Sequence, residues 1–208
     1  MVDLHILGSP GPLLITTPAG LYDKISMEPT LKALRKSGLS FKGFLYAGLM
    51  IERSTNVPYV LEFNVRLGDP ECQSILTRMD SDLVEYLEAI AETRLASMSQ
   101  IKWKKEHAVC VVMTSNGYPG KYEEGKIVSG LNSSIGDSVH IFHSGTARDD
   151  QDRIITAGGR VLSVTALGTD METAIGRAYS SVRRIHWGNN EEHYRNDIGY
   201  KALNPNSI

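Results

Sequence analysis

Glu62, Asn64 and Arg66 stand two residues apart in the string Glu62-Phe-Asn-Val-Arg-Leu-Gly-Asp-Pro-Glu71. Together these side chains can hold a magnesium–phosphate group. Carboxylate and amide oxygens are hard ligands suited to Mg²⁺. A guanidinium grips phosphate oxygens in bidentate fashion. Phosphoryl transfer needs both a metal bridging the phosphates and fixed positive charge where negative charge gathers. The Gly68-Asp-Pro segment that follows lets backbone come close to a substrate. On these residues alone a second reading is equally good. It is an edge strand with a solvated polar face, where Glu62 and Arg66 form a weak surface pair.

A strand must position the trio. Residues 59–65 read Tyr-Val-Leu-Glu-Phe-Asn-Val, with Glu62 and Asn64 between apolar residues. The two-residue period puts Glu62, Asn64 and Arg66 on one face. Residues 44–51 are almost continuously apolar, as in a strand buried on both faces. A polar turn at 53–58 joins the two, and residues 67–71 read as a loop. Upstream, residues 22–36 have helical spacing interrupted by Pro29. That predicts two short helices, or one beginning near the proline. A helix is expected over 83–95, capped by Asp80 or Ser81. Residues 1–20 are dense in Gly and Pro and read as a loop with one short apolar piece at 13–15.

Residues 100–106 are a charged connector, and a domain boundary is expected there. Beyond it, strands are expected at 107–113, 126–128, 139–143 and 160–166, with a turn cluster at 115–120. An amphipathic helix follows at 171–185, then a polar, turn-rich tail from Trp187. This half reads as a small α+β domain. Gly158-Gly159 lacks the GxGxxG pattern and reads as a plain turn. The six histidines have no metal spacing, and His107, His140 and His143 read as ordinary strand residues.

The 208 residues suit one large domain or two small ones, and 41% hydrophobic with 22% charged residues is an ordinary globular balance. A net charge of −2 offers no basic excess for nucleic acid or an anionic membrane surface. No apolar run reaches the roughly 18–20 residues that span a bilayer, and the first residues lack the pattern of a signal peptide. The only cysteines, Cys72 and Cys110, have no CxxC or Cys/His spacing and are expected as reduced thiols. A cytoplasmic protein is expected.

The whole string from Glu62 to Glu71 closely resembles the signature of phosphoribosylamine–glycine ligases, members of the ATP-grasp superfamily. The stretch from Gly43 to Ile51 is similar to that family too, at the expected distance upstream. So are Arg78-Met-Asp-Ser-Asp-Leu83, Gly117-Tyr-Pro-Gly120, His143-Ser-Gly-Thr146, Gly158-Gly-Arg160 and Arg195-Asn-Asp-Ile-Gly199. The matches keep their order from residue 39 to about 203. The resemblance implies an α+β chain: an irregular segment at 1–20, the C-terminal part of an ATP-grasp domain at 21–103, and a ligase C-terminal domain at 104–208. It implies Mg²⁺ or Mn²⁺, held by Glu62 and Asn64, with ATP as co-substrate. Arg66 and Asp69 would be the catalytic residues, with Arg66 on the nucleotide phosphates or the acyl phosphate. Gly68, Asp69, Pro70 and Glu71 would shape the wall where glycine and 5-phosphoribosylamine meet. Met50 either packs near the adenine or is a core methionine. Arg195 either meets a phosphate or pairs with Asp197.

The activity implied is glycine joined to phosphoribosylamine, with ATP hydrolysed through a glycyl phosphate, in purine biosynthesis. The family's enzymes are about twice this length, and their first half carries a lysine and a glycine-rich phosphate loop that are not found before Gly43. The chain is therefore expected to have little activity alone. It would need a separate N-terminal half, or would self-associate through the apolar surface that such a half covers. The competing readings are a non-catalytic piece and an ATP-grasp ligase with another substrate.

Overall fold

The computed structural model describes residues 3–7, 27–52, 54–55, 57–131 and 136–203. The loop read at 8–20, its apolar piece at 13–15, the start of the helical pattern at 22–26 and the end of the tail lie outside the described residues. The chain divides into two compact units. One holds Met1–Asp69 and Met79–Trp103, the other Pro70–Arg78 and Lys104–Ile208. Both units combine helices with antiparallel strands, as the α+β reading requires.

In the first unit β1 (Asp3–Leu7), β2 (Gly43–Ile51) and β3 (Pro58–Asn64) form a sheet in that order. β1 corrects the loop reading of residues 3–7. The breakers begin only at Gly8, and the five residues before it pair with β2 from Asp3 opposite Ala47 to Leu7 opposite Gly43. α1 (Glu28–Lys36) places its proline in the first turn, where a missing N–H costs nothing. A helix beginning near Pro29 is therefore present, while the alternative of a further short helix before it falls on residues 22–26, outside the described residues. Met27, Leu45 and Ala47 are buried together, with Leu31, Phe41 and Leu49 against them. Phe44 packs instead with Tyr86, Ala89, Ile90 and Leu95, the first three on α3 (Leu83–Ala91). Two-sided burial thus holds for the first half of β2. It fails at Met50, which is 58% exposed and is no core methionine.

Neither Asp80 nor Ser81 caps α3. Asp82 does, accepting from the Val84 backbone N–H at 2.8 Å. The Ser81 hydroxyl is engaged elsewhere, accepting from the Lys102 N–H at 2.9 Å. The helix ends at Ala91, and Leu95–Ser97 is a separate 3₁₀ turn. Asp82→Ala removes a partner for an orphan helical N–H and is expected to destabilise the fold by about 1 kcal/mol, seen as an earlier urea midpoint.

The second unit is built on a four-stranded antiparallel sheet ordered β11, β4, β9, β6. β4 is His107–Ser115, β6 Val139–His143, β9 Arg160–Gly168 and β11 Glu192–His193. Val109, Val111 and Met113 of β4 and Val164 and Ala166 of β9 share a core with Ala174, Ala178 and Val182 of α4 (Met171–Val182). Cys110, Ser163 and Thr165 alternate with these residues and are also buried. α2 (Glu71–Arg78) packs on β4 and β9. Alternation along the strands assigns it the face opposite α4. The sequence reading ended a loop at Glu71 and assigned no element to 72–79, so it missed α2. Smaller pieces complete the unit: β5 (Val128–Ser129) with β10 (His186–Trp187), the hairpin of β7 (Thr146–Arg148) and β8 (Ile154–Thr156), and α5 (Tyr200–Leu203). Among the described residues no helix is long and apolar enough to cross a membrane.

Asp170 caps α4, accepting from the Thr173 N–H at 2.7 Å, and this bond holds its carboxyl below the usual range. A depressed carboxylate contributes stability that is full above its unfolded pKa and is lost as pH falls through the folded one. The second unit is therefore expected to lose thermal stability below about pH 4. Asp170→Asn should make that acid limb shallower; an unchanged limb would show that the cap does not titrate with folding.

Candidate functional site

β3 carries Glu62 and Asn64 and ends there; Arg66 follows in a bend. Arg66 therefore does not extend the strand face as the spacing predicts. Its guanidinium curls back, donating from Nη2 to Asn64 Oδ1 at 3.2 Å and from Nη1 to the Leu67 carbonyl at 3.0 Å. Glu62, which is exposed, is not among its partners. The Asn64 Nδ2 is buried without an acceptor among the described residues, so the amide is held through Oδ1 alone.

A bulge sets Glu62. Gly48 of β2 faces Glu62 while Leu49 faces Val60, leaving Leu61 as an extra residue on β3. Bulges bend a strand locally and re-aim its side chains. A Cβ at Gly48 would lie 3.2 Å from Glu62 Cγ. Gly48 is thus a positioning residue that the sequence reading did not single out, though a glycine inside an apolar strand is the signal for it. Gly48→Val is expected to push Glu62 aside and weaken Mg·nucleotide binding several-fold by calorimetry; unchanged binding would remove Gly48 from the site.

The donor set suits a hard divalent cation. Glu62 offers a carboxylate and Asn64 an amide oxygen, and among the described residues no group of three His, Cys, Asp or Glu side chains stands ready to hold a metal. Phosphate oxygens and water would complete an octahedron, as Mg²⁺ and Mn²⁺ accept. Among the described strands β3 lies at the edge of its sheet, with Leu61 64% exposed, and Val65 just beyond it is 72% exposed. The neighbouring residues divide between the units. Gly68 is buried and Asp69 exposed at the end of the first unit's segment; Pro70 and Glu71 open the α2 segment of the second.

Arg195 lies in the second unit and is committed to Asp197, donating from Nε at 2.9 Å and Nη2 at 2.7 Å. That hydrogen bonding holds the Asp197 carboxyl below its ordinary range. The Tyr179 hydroxyl anchors this loop to α4, donating to the Arg195 carbonyl at 2.5 Å and accepting from the Ile198 N–H at 3.0 Å. Burial raises its pKa. Tyr179→Phe strands two backbone groups and is expected to cost about 1–2 kcal/mol of stability, read from denaturant unfolding.

Gly117-Tyr-Pro-Gly120 is a turn whose Tyr118 ring covers Gly159; a Cβ there would run into the ring. The Gly158-Gly159 turn is therefore also a packing requirement. Ser115, Asn116, Lys121, Tyr122, Glu123, Lys126, Trp187 and Glu191 line a pocket of about 420 Å³. Lys126 is already bridged to Glu123 and Glu191, so the pocket's charges neutralise one another. Neither Cys72 nor Cys110 is in a disulfide.

Two domain models of one family match consecutive stretches of the chain. Phosphoribosylglycinamide synthetase, ATP-grasp (A) domain, matches residues 7–72, and the C domain of the same synthetase matches 108–201. The chain belongs to the phosphoribosylglycinamide synthetase family. Among named relatives it is similar to the chloroplastic phosphoribosylamine–glycine ligase of Arabidopsis thaliana, 42% identical over 96% of this chain and 37% of that one. The ligase of Vigna unguiculata is 43% identical over 86% of this chain and 58% of its own. A solved ligase from Thermotoga maritima superposes with a TM-score of 0.74 at 29% identity, covering 95% of this chain and 55% of that one. The biotin carboxylase domain of the Hydrogenobacter thermophilus 2-oxoglutarate carboxylase, at 14% identity and a TM-score of 0.61, shares the fold. Against the two named relatives the synthetase-family chain spans well under two thirds of their length. The expected family and its ATP-grasp fold are borne out.

Proposed function

We propose that this chain supplies the metal-bearing part of an ATP-dependent ligase that joins glycine to 5-phosphoribosylamine in cytoplasmic purine biosynthesis. The observation that carries the reading is Glu62, Asn64 and Arg66 gathered at one end of an edge strand, in a chain of this family. In the proposed reaction the glycine carboxylate attacks the γ-phosphorus of ATP, giving glycyl phosphate and ADP. The amine of phosphoribosylamine then attacks the acyl carbon, and phosphate leaves with its bonding electrons. Glu62 and Asn64 would hold Mg²⁺ or Mn²⁺, which supplies neutralising charge at the phosphates. Arg66 would turn outward onto the transferred phosphoryl group, and Asp69 would orient the amine. Gly68, Pro70 and Glu71 would shape the substrate wall, Met50 would lie along the adenine, and Arg195 would exchange Asp197 for a phosphate.

The exposed apolar residues of β3 support the second part of the reading. Polypeptide beyond this chain completes the enzyme and covers this edge. The test is to mix the chain with the portion of the Thermotoga maritima ligase that it does not match, and to follow phosphate release. Release that needs glycine, amine and both portions is expected. Release by neither the mixture nor the chain, with no Mg·ATP binding, would favour a non-catalytic piece.

A further inference from the structure

Resting on that assignment of Glu62 and Asn64, we infer that Arg66 is a gate on the metal position, occupying the Asn64 oxygen until a phosphate draws it away. Oδ1 is the only cation-ligating atom of the Asn64 side chain, because the amide nitrogen is a donor. In this structure Arg66 Nη2 holds that oxygen at 3.2 Å, and Nη1 is tied to the Leu67 carbonyl at 3.0 Å. Among the described residues the buried Nδ2 has no acceptor, and as a donor it offers the metal no substitute ligand.

A divalent cation arriving alone faces two costs. It must strip a hydrogen bond from Asn64 Oδ1, and it must sit a few ångströms from an unneutralised guanidinium. The Glu62 carboxylate attracts the cation but is not a partner of Arg66, so it removes neither the hydrogen bond on Asn64 Oδ1 nor the guanidinium charge. A phosphate group changes the balance. Its oxygens offer the guanidinium a bidentate partner stronger than a neutral amide or carbonyl. Once Arg66 turns to the phosphate, Asn64 Oδ1 is free and the repelling charge is neutralised. Metal and phosphate therefore bind as a coupled pair, and by linkage each raises the affinity of the other. The device keeps the Glu62–Asn64 pair from filling with free metal when no nucleotide is present.

The test uses Mn²⁺ alone, followed by electron paramagnetic resonance on the chain as it stands. Arg66→Gln is expected to bind Mn²⁺ about ten-fold more tightly than the original chain, the size of effect that one nearby charge exerts at a solvated surface. Arg66→Lys keeps the charge and is expected to stay within a few-fold of the original. Glu62→Gln placed on Arg66→Gln should remove the gain. If Arg66→Gln binds Mn²⁺ no better, while Glu62→Gln still weakens binding, the gate is wrong and the metal assignment stands. If Glu62→Gln changes nothing in either background, the metal assignment itself falls, and the gate with it.

Discussion

Glu62→Ala is expected to lower the affinity for Mg·ATP by about a hundred-fold, about 2.8 kcal/mol, in calorimetric titration. The carboxylate is the only full negative charge in the Glu62–Asn64–Arg66 trio, so its loss leaves one neutral oxygen to hold a doubly charged ion. The change should leave the fold alone. Glu62 is exposed and packs into none of the three core clusters. Exposed substitutions of this kind stay within about 0.5 kcal/mol. A variant that keeps its melting temperature and binds Mg·ATP as before would place the metal elsewhere.

Trp187→Ala is expected to produce the largest loss of stability, about 3–5 kcal/mol. Its side chain is 2% exposed and is the largest among the fully buried residues. It sits in the core that joins β4, β9 and α4, although its own strand has only two residues. Truncation leaves a hole that short strands such as β5 and β10 cannot close by collapse. The unfolding midpoint in urea should fall with the slope unchanged, as a loss of packing in a two-state unit requires. A small shift would mean that neighbouring loops relax into the space.

The strands that could be read from the residues were those with long apolar runs. β6 matches the predicted 139–143 at both ends, and β4 and β9 each run two residues past their predicted ends. What escaped was short or relied on partners distant in the chain. β7 and β8 have three residues each and acquire strand geometry only from one another. α2 was hidden by the loop signal of Gly68 and Pro70, although Glu71 in its first turn and Arg78 in its last suit the helix dipole. The cap of α3 was misplaced because sequence alone could not show that Ser81 is occupied by Lys102. In the candidate site, types and spacing single out Glu62 and Asn64 as candidate metal ligands. The bulge at Leu61 and the return of Arg66 onto Asn64 depend on tertiary pairing, and no periodicity announces them.

The chain path has a consequence for how this molecule can be divided. It leaves the first unit after Asp69, returns at Met79 and leaves again at Lys104. On the ribosome, α2 emerges well before β4 and β9, so it must wait for the surface that will shelter it. Cutting the gene at residue 104 would separate α2 from that surface and leave Ser163 and Thr165 uncovered on one face of the sheet. A dissection that keeps the second unit whole has to carry residues 70–78 along by circular permutation, because no single scissors cut in the chain separates the two.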